Sequence, residues 1–322
     1  MEIFYEVFRY AFLIAMPLMV VALGGMFSER SGTINIALDG IMIIGTFCGY
    51  MFIYLMQKAG VVMNPQLLLI FAILIAGIAG TIYSLLLGVS AINFKADQTI
   101  GGTALNIISV ALVVFLARMT IGTQNIQIDT VGLFYIKDGG FLGSIPVIGD
   151  MFFKDTYITT FIGLLILLVS TFLLNKTRFG LRLRSCGEHP QAADSVGINV
   201  PRMRYWGVAI SGLLGGIGGM LFMVPLISEF SGTVFGYGFL ALAVLIFGQW
   251  KPSKIFLGAL FFAFMMSLSS LHGKIPFLDN LGIPSAIYDM VPYFATLVVL
   301  AFTSKKSRAP KAEGIPYDKA LR

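Results

Sequence analysis

KTRFGLRLRSCGEHPQAADSVGINVPRMR, residues 176–204, separates two long apolar runs and therefore stands outside a bilayer. Six basic residues, Lys176, Arg178, Arg182, Arg184, Arg202 and Arg204, outweigh Glu188 and Asp194. A short basic loop between membrane spans is retained on the cytoplasmic side. Its centre predicts a small helix. Pro190 suits the first helical position, where a missing N–H costs nothing. Residues 191–196 follow, and Gly197 suits the stop position. The spacing puts Ala192, Ala193 and Val196 on one small, mildly apolar face. Two readings fit the stretch: a solvated loop with one helical turn, or a docking lever for a cytoplasmic partner.

The flanking sequence is that of an integral membrane protein. Of 322 residues, 57% are apolar and 12% charged, with a mean hydropathy of +0.88. Soluble domains carry about 25% charged residues. A span needs about 20 apolar residues, which gives nine: 7–27, 34–56, 66–89, 100–120, 156–175, 205–227, 234–249, 254–271 and 286–303. The expected fold is an all-α polytopic bundle in one domain, with eight to ten helices. With 176–204 inside, alternation also places 28–33, 90–99, 250–253 and the 304–322 tail inside. Sixteen of the 22 Lys and Arg then lie inside, in accord with the charge rule for orientation. The amino terminus falls outside and reads as a retained first span rather than a signal peptide. The net charge of +6 follows membrane orientation and not a nucleic-acid-binding stripe. Cys48 and Cys186 lie in a span and in the inner loop, with neither disulfide nor metal-ligand spacing.

The longest outer loop, 121–155, is Gly-rich and predicts a short amphipathic helix or a hairpin on the membrane surface. The basic tail 304–322, interrupted by Pro and Gly, predicts an extended segment on the inner face. Ser31-Gly32-Thr33-Ile34 opens the second span and Ser231-Gly232-Thr233-Val234 opens the seventh. Those spans run in opposite directions, the pattern of an inverted repeat with a transport path between its halves.

Polar groups within spans are costly and point to function. Asn35 and Asp39 share a face of the second span, and Asn106 and Ser109 a face of the fourth. Asp39 is expected to face the bundle interior, either bracing a broken helix or lining a path for a polar substrate. Asp97 suits an N-cap. Tyr237, between Gly236 and Gly238, is the aromatic marked for stacking on a base or for anchoring at the interface. Gly212, Gly215, Gly216, Gly218 and Gly219 cluster in the sixth span, as close helix packing in lipid requires. The chain has no Gly-rich phosphate loop ending in Lys-Ser/Thr and no HExxH. His189 and His272 fall on opposite sides. An enzyme of this chain alone is therefore disfavoured, and so is a proton-driven carrier, since Asp39, Asp289 and Glu229 are too few titratable groups for a relay.

GLRLRSCGEHPQAADSVGINVPRMRY resembles the cytoplasmic coupling loop of bacterial ABC-importer permeases of the branched-chain amino acid, ribose and nucleoside class. ALGGMFSERSGTINIALDGIMIIG, residues 22–45, resembles the first-and-second-helix signature of that class. FKADQTIGGTALNI, 94–107, and SRAPKAEGIPY, 307–317, resemble its nucleoside-uptake branch. The chain departs at His189, where Asn is commoner, and at Asp39, where Glu is commoner. The resemblance implies a multi-pass subunit of a bacterial cytoplasmic membrane. It implies docking of a cytoplasmic ATPase on Gly187, Glu188, His189, Pro190, Ala192, Ala193, Asp194 and Gly197. A second permease, identical or homologous, and an extracytoplasmic substrate-binding lipoprotein are implied as further partners. This chain then binds no cofactor, and ATP and Mg stay on the ATPase. Asn35, Asp39, Asn106 and Tyr237 are the expected path residues. Nucleosides are the expected cargo, with a simple sugar or a branched-chain amino acid as alternatives.

Overall fold

Leu67, Phe71, Leu74, Ile78, Ile82 and Leu86 recur three or four residues apart and are all exposed. An apolar stripe turned outward, over a core holding Asn35, Asp39, Ser84, Asn106 and Ser211, is the pattern that lipid imposes. The computed structural model describes residues 2–128, 134–136, 156–275, 283–303 and 309–319. In chain order the helices are α1 (Glu2–Arg30), α2 (Leu38–Lys58), α3 (Pro65–Gly88, continued by a π turn over Val89–Asn93), α4 (Gln98–Ile121), α5 (Ile158–Lys176), α6 (Arg178–Glu188), α7 (Pro190–Ser195), α8 (Val200–Leu226), α9 (Tyr237–Phe247), α10 (Pro252–Ser270) and α11 (Ser285–Thr303).

Among the described residues, α1 to α5, α8 and α10 are long and apolar enough to cross a bilayer. α9 is apolar but has 11 residues. At ~1.5 Å per residue it covers ~16 Å, about half of a ~30 Å hydrocarbon layer. With α9 and α11, each of the nine expected spans meets a helix. The fold is all-α and polytopic, and the count of nine is approximate because α9 is a half-span.

α8 is the central post. A Cβ on Gly216 would stand 2.1 Å from the Ala76 carbonyl oxygen, and one on Gly80 2.4 Å from that of Gly212. α3 and α8 thus touch backbone to backbone, a packing that glycine alone permits. α1 and α2 close other sides of the post, with Val21 against Gly218 and Met42 against Gly219.

The bundle has two chemically distinct ends. At the basic end, Arg30 pairs with Glu188 at 3.7 Å and Lys95 with Asp318 at 2.7 Å, while the Arg30 guanidinium donates to the Trp250 carbonyl at 3.0 Å. At the opposite end, Lys274 pairs with Glu6 and the Ser267 hydroxyl donates to the Val7 carbonyl at 2.8 Å. There β1 (Ile126–Gln127) pairs antiparallel with β4 (Glu229–Phe230), and Asn125 bonds the Glu229 carboxylate. β2 (Tyr135–Ile136) pairs with β3 (Thr156–Tyr157). The remainder of 121–155, and with it the expected surface helix or hairpin, lies outside the described residues.

Two expectations are corrected. The second helix begins at Leu38 and not at residue 34, because 31–37 run non-helical into the bundle. Residues 178–188, read as loop, form α6, whose first turn is capped by the Thr177 hydroxyl accepting from the Gly180 N–H at 3.1 Å.

Candidate functional site

Non-helical backbone inside a membrane bundle needs side chains to satisfy it. Segment 31–37 obtains them from α4 and from its own Asn35, which α8 holds in turn. The Ile34 N–H donates to Gln98 Oε1 at 2.7 Å. The Ala37 N–H donates to Asn35 Oδ1 at 3.1 Å, and Asn35 Nδ2 donates to the Ser211 hydroxyl of α8 at 2.8 Å. Asn106 serves twice: Oδ1 accepts from the Gly40 N–H at 2.8 Å and Nδ2 donates to the Ile36 carbonyl at 2.9 Å. Gly40 sits in the first turn of α2, so Asn106 caps that helix from α4. Asn35 and Asn106 thus hold the break that sets α2 in place. Asp97 caps α4, and the Ile100 and Thr99 N–H groups hold its carboxyl below the usual range.

Residues 231–236 mirror this break from the other end. Gly32 has φ +98° and Gly232 φ +84°. Each follows its Ser and precedes a helix that starts within the bundle, α2 running away from the basic end and α9 toward it. The two amino ends meet: Asp39 Oδ1 accepts the Gly238 N–H at 2.9 Å. A Cβ on Gly238 would stand 2.3 Å from the Asp39 Cα, so no larger residue fits. Asp39 is buried. It satisfies an otherwise orphaned donor of α9 and faces the positive end of that helix dipole. Beside it, the Tyr237 ring lies against Phe222 of α8, centroids 3.8 Å apart. Asn35, Asp39, Asn106 and Tyr237 are therefore gathered around the starts of α2 and α9.

α7 matches the expected small helix, with Pro190 in its first turn and Gly197 at φ +83°. Its faces differ from expectation. Ala192 and Val196 are exposed, whereas Ala193 is 3% exposed and turned inward with Pro190. Four residues bring 192 and 196 into line, and 193 lies ~100° away. His189 is exposed and Glu188 half-buried; Gly187 is buried at the end of α6. A Cβ on Gly187 would stand 2.3 Å from the Arg30 carbonyl oxygen. Asp194, Gly197 and Asn199 line a groove of about 590 Å³ whose other wall is Lys95, Tyr317 and Asp318.

The chain matches the family described as branched-chain amino acid transport system / permease component over residues 8–300. It belongs to that family. It is 42% identical over 310 residues to the guanosine ABC transporter permease protein NupQ of Bacillus subtilis, covering 96% of this chain and 95% of that protein. It is 41% identical over 308 residues to the nucleoside ABC transporter permease protein NupC of Lactococcus lactis, covering 94% of each. A second lactococcal protein, the nucleoside ABC transporter permease protein NupB, is 26% identical over 167 residues, covering 50% of this chain and 43% of that protein.

One part of this permease was not foreseen as part of the site. Residues 309–319 bind the basic end together. The Ala312 N–H donates to the Gly187 carbonyl at 2.8 Å and the Gly314 N–H to the Gly32 carbonyl at 3.3 Å. Buried Arg204 donates to the Ile315 carbonyl at 2.9 Å. Burial pushes the Cys186 thiol up to about 11, against the opposing charge of Arg204. Trp250 Nε1 donates to Glu29 Oε2 at 2.5 Å. The hydrogen bonds among them join residues more than 100 positions apart. Their sequence signals are the Gly residues that allow close approach and the tail stretch 307–317, whose resemblance gave no hint of what it touches.

Proposed function

We propose that this permease is the membrane-spanning subunit of an ATP-driven nucleoside importer in a bacterial cytoplasmic membrane. The observation that carries the reading is similarity along nearly the whole chain to two permeases, one named for guanosine and one for nucleosides. The basic end then faces the cytoplasm, as its charge favours. With no phosphate-binding loop in the sequence, a partner ATPase supplies hydrolysis and holds ATP and Mg. That two lactococcal nucleoside permeases share similarity with this chain supports a second, homologous permease as partner. An extracytoplasmic binding protein delivers cargo to the opposite end.

The geometry supports a route for coupling. The ATPase grips α7 on Gln191, Ala192 and Val196, flanked by Glu188, His189, Asp194 and Gly197. Movement of α7 passes to Gly187, which touches the Arg30 carbonyl and bonds the tail at Ala312. Two residues beyond Arg30, Gly32 is bonded to the same tail and opens segment 31–37. That segment ends at Asp39, against the start of α9. A pull on α7 is thereby delivered to the meeting point of the two half-membrane breaks, where the cargo crosses. Asp39 and Tyr237 offer it a hydrogen-bond acceptor and an aromatic face beside Phe222. ATP drives the change only by favouring one arrangement of α7 over the other.

The test is uptake of labelled nucleosides, sugars and branched-chain amino acids by cells producing the full set of subunits. Nucleoside uptake that dies with the ATPase and survives an uncoupler is expected. Uptake of a sugar or an amino acid in its place overturns the cargo, and collapse with the uncoupler overturns the ATP-driven reading. Ala192→Arg is expected to abolish ATPase co-purification while the permease still inserts; retained association removes α7 as the docking element.

A further inference from the structure

We infer that the groove between α5, α6 and α8 at the basic end is a binding site for an anionic phospholipid, its phosphate held by Arg182 and Arg202 and an acyl chain laid over Trp206. The groove encloses about 690 Å³. Leu173 and Phe179 form one wall, Arg202, Trp206 and Ile210 the other, and Arg182 stands at the rim. No carboxylate lines it. Neither guanidinium makes an ion pair or hydrogen bond among the described residues.

Polarity changes along the groove as it does across half a bilayer. Arg202, Trp206 and Ile210 recur every four residues on α8 and so descend one face. The cation is at the helix end, the indole next and the aliphatic chain deeper. Trp206 is 51% exposed, as suits a ring at the headgroup level. Below it the exposed face of α5 continues with Val169 and Leu165. A water-soluble partner cannot follow the groove there, because Trp206 and Ile210 belong to a membrane span. A phosphodiester with an acyl chain meets both halves: two guanidiniums suit its oxygens, and basic pockets between membrane helices on the cytoplasmic side hold anionic headgroups. Val196, at the end of α7, also lines the groove, so bound lipid would brace the element proposed to meet the ATPase.

The purified permease, in zwitterionic detergent, is titrated with short-chain phosphatidylglycerol, phosphatidylcholine or inorganic phosphate, and bound lipid is read by native mass spectrometry. Phosphatidylglycerol is expected to bind, and phosphatidylcholine and phosphate not to. R182Q/R202Q is expected to weaken phosphatidylglycerol about thirtyfold, the worth of two cations near an anionic surface, and R182K/R202K to restore most of it. An unchanged melting temperature shows that the glutamine variant is folded, and should it fail to fold, Trp206→Ala is the substitute. Equal binding of the two lipids, binding of free phosphate, or full lipid retention in R182Q/R202Q overturns the site. So does loss of ATPase association in R182Q/R202Q with lipid retention intact, since the surface then serves a protein. None of these readouts depends on the cargo.

Discussion

The Asp39 carboxylate accepts the Gly238 N–H at 2.9 Å, and through that bond α2 and α9 meet amino end to amino end. A helix start carries about half a positive charge, and here two starts converge on one acid. The break before α2 is held by Gln98, Asn35 and Asn106, so the meeting point is built from three separate parts of the chain: 31–40, α4 and α9. It combines irregular backbone with internal polar groups, which membrane bundles tolerate only in buried or cavity-lining positions.

Gly238→Ala is therefore expected to be worse than Asp39→Asn. The alanine methyl would stand 2.3 Å from both the Asp39 Cα and N, and overpacking of this kind costs about 1–3 kcal/mol. Asparagine keeps an oxygen in place to accept the bond. Asp39→Leu strands the Gly238 donor at about 1–3 kcal/mol. Uptake rates and thermal unfolding of the three variants check the order: near-normal for Asn, at least tenfold impaired for Leu and Ala.

Periodicity and charge made the spans, the basic end and α7 legible. The continuation of the break over 34–37 was not, because Ile34, Ile36, Ala37 and Leu38 continue the apolar run and no Pro interrupts it. Its cause lies in Gln98 and Asn106, more than 60 residues away. α6 was hidden by its charges. Its apolar stripe, Phe179, Leu183 and Cys186, is short, and the surrounding Arg residues dominate any average over the segment. The Ala192/Ala193 pairing failed because adjacent helical residues diverge by ~100°. Asp39 was singled out by the cost of a carboxylate in lipid, yet its partner, a backbone N–H, carries no side-chain signal at all.

Gly187→Ala tests the seat of the α6–α7 junction. The added methyl meets the Arg30 carbonyl oxygen at 2.3 Å. Backbone cannot yield as a flexible side chain does, so the two helix ends must separate and the Ala312 bond must lengthen. A loss of about 1–3 kcal/mol is expected, with uptake falling further than the melting temperature explains. Normal uptake at a normal melting temperature removes Gly187 from the coupling route.

Deleting residues 309–322 is expected to leave an inserted but uncoupled permease. Arg204 is 1% exposed and donates to Ile315; without the tail, that donor of a buried cation loses its acceptor. Hydrogen bonds to charged groups contribute about 1.5–3 kcal/mol. Lower melting temperature, lost uptake and retained membrane insertion are the expected set. Restoration by a synthetic 309–322 peptide would show that the tail acts by docking.

Docking of that tail is expected to depend on pH through Glu313. Burial holds its carboxyl above the ordinary 4.5, opposed by a hydrogen bond with Glu29 and by the charge of Arg30. A group whose folded-state pKa is raised binds its proton more tightly when docked. Its contribution is full below the ordinary value and is lost as pH rises through the raised one. A neighbouring acid bears on the same contact: Glu188 pairs with Arg30 at 3.7 Å. Acid thus favours the docked tail, and alkali loosens it. Limited trypsin cleavage at Lys311, which is exposed, is expected to quicken as pH rises from the ordinary carboxylate range. Glu313→Gln, neutral at every pH, is expected to cut more slowly than wild type at high pH and to flatten the dependence, since one acid of the Glu29–Glu313 pair is then gone. A variant that keeps the wild-type pH profile would assign the effect to another group.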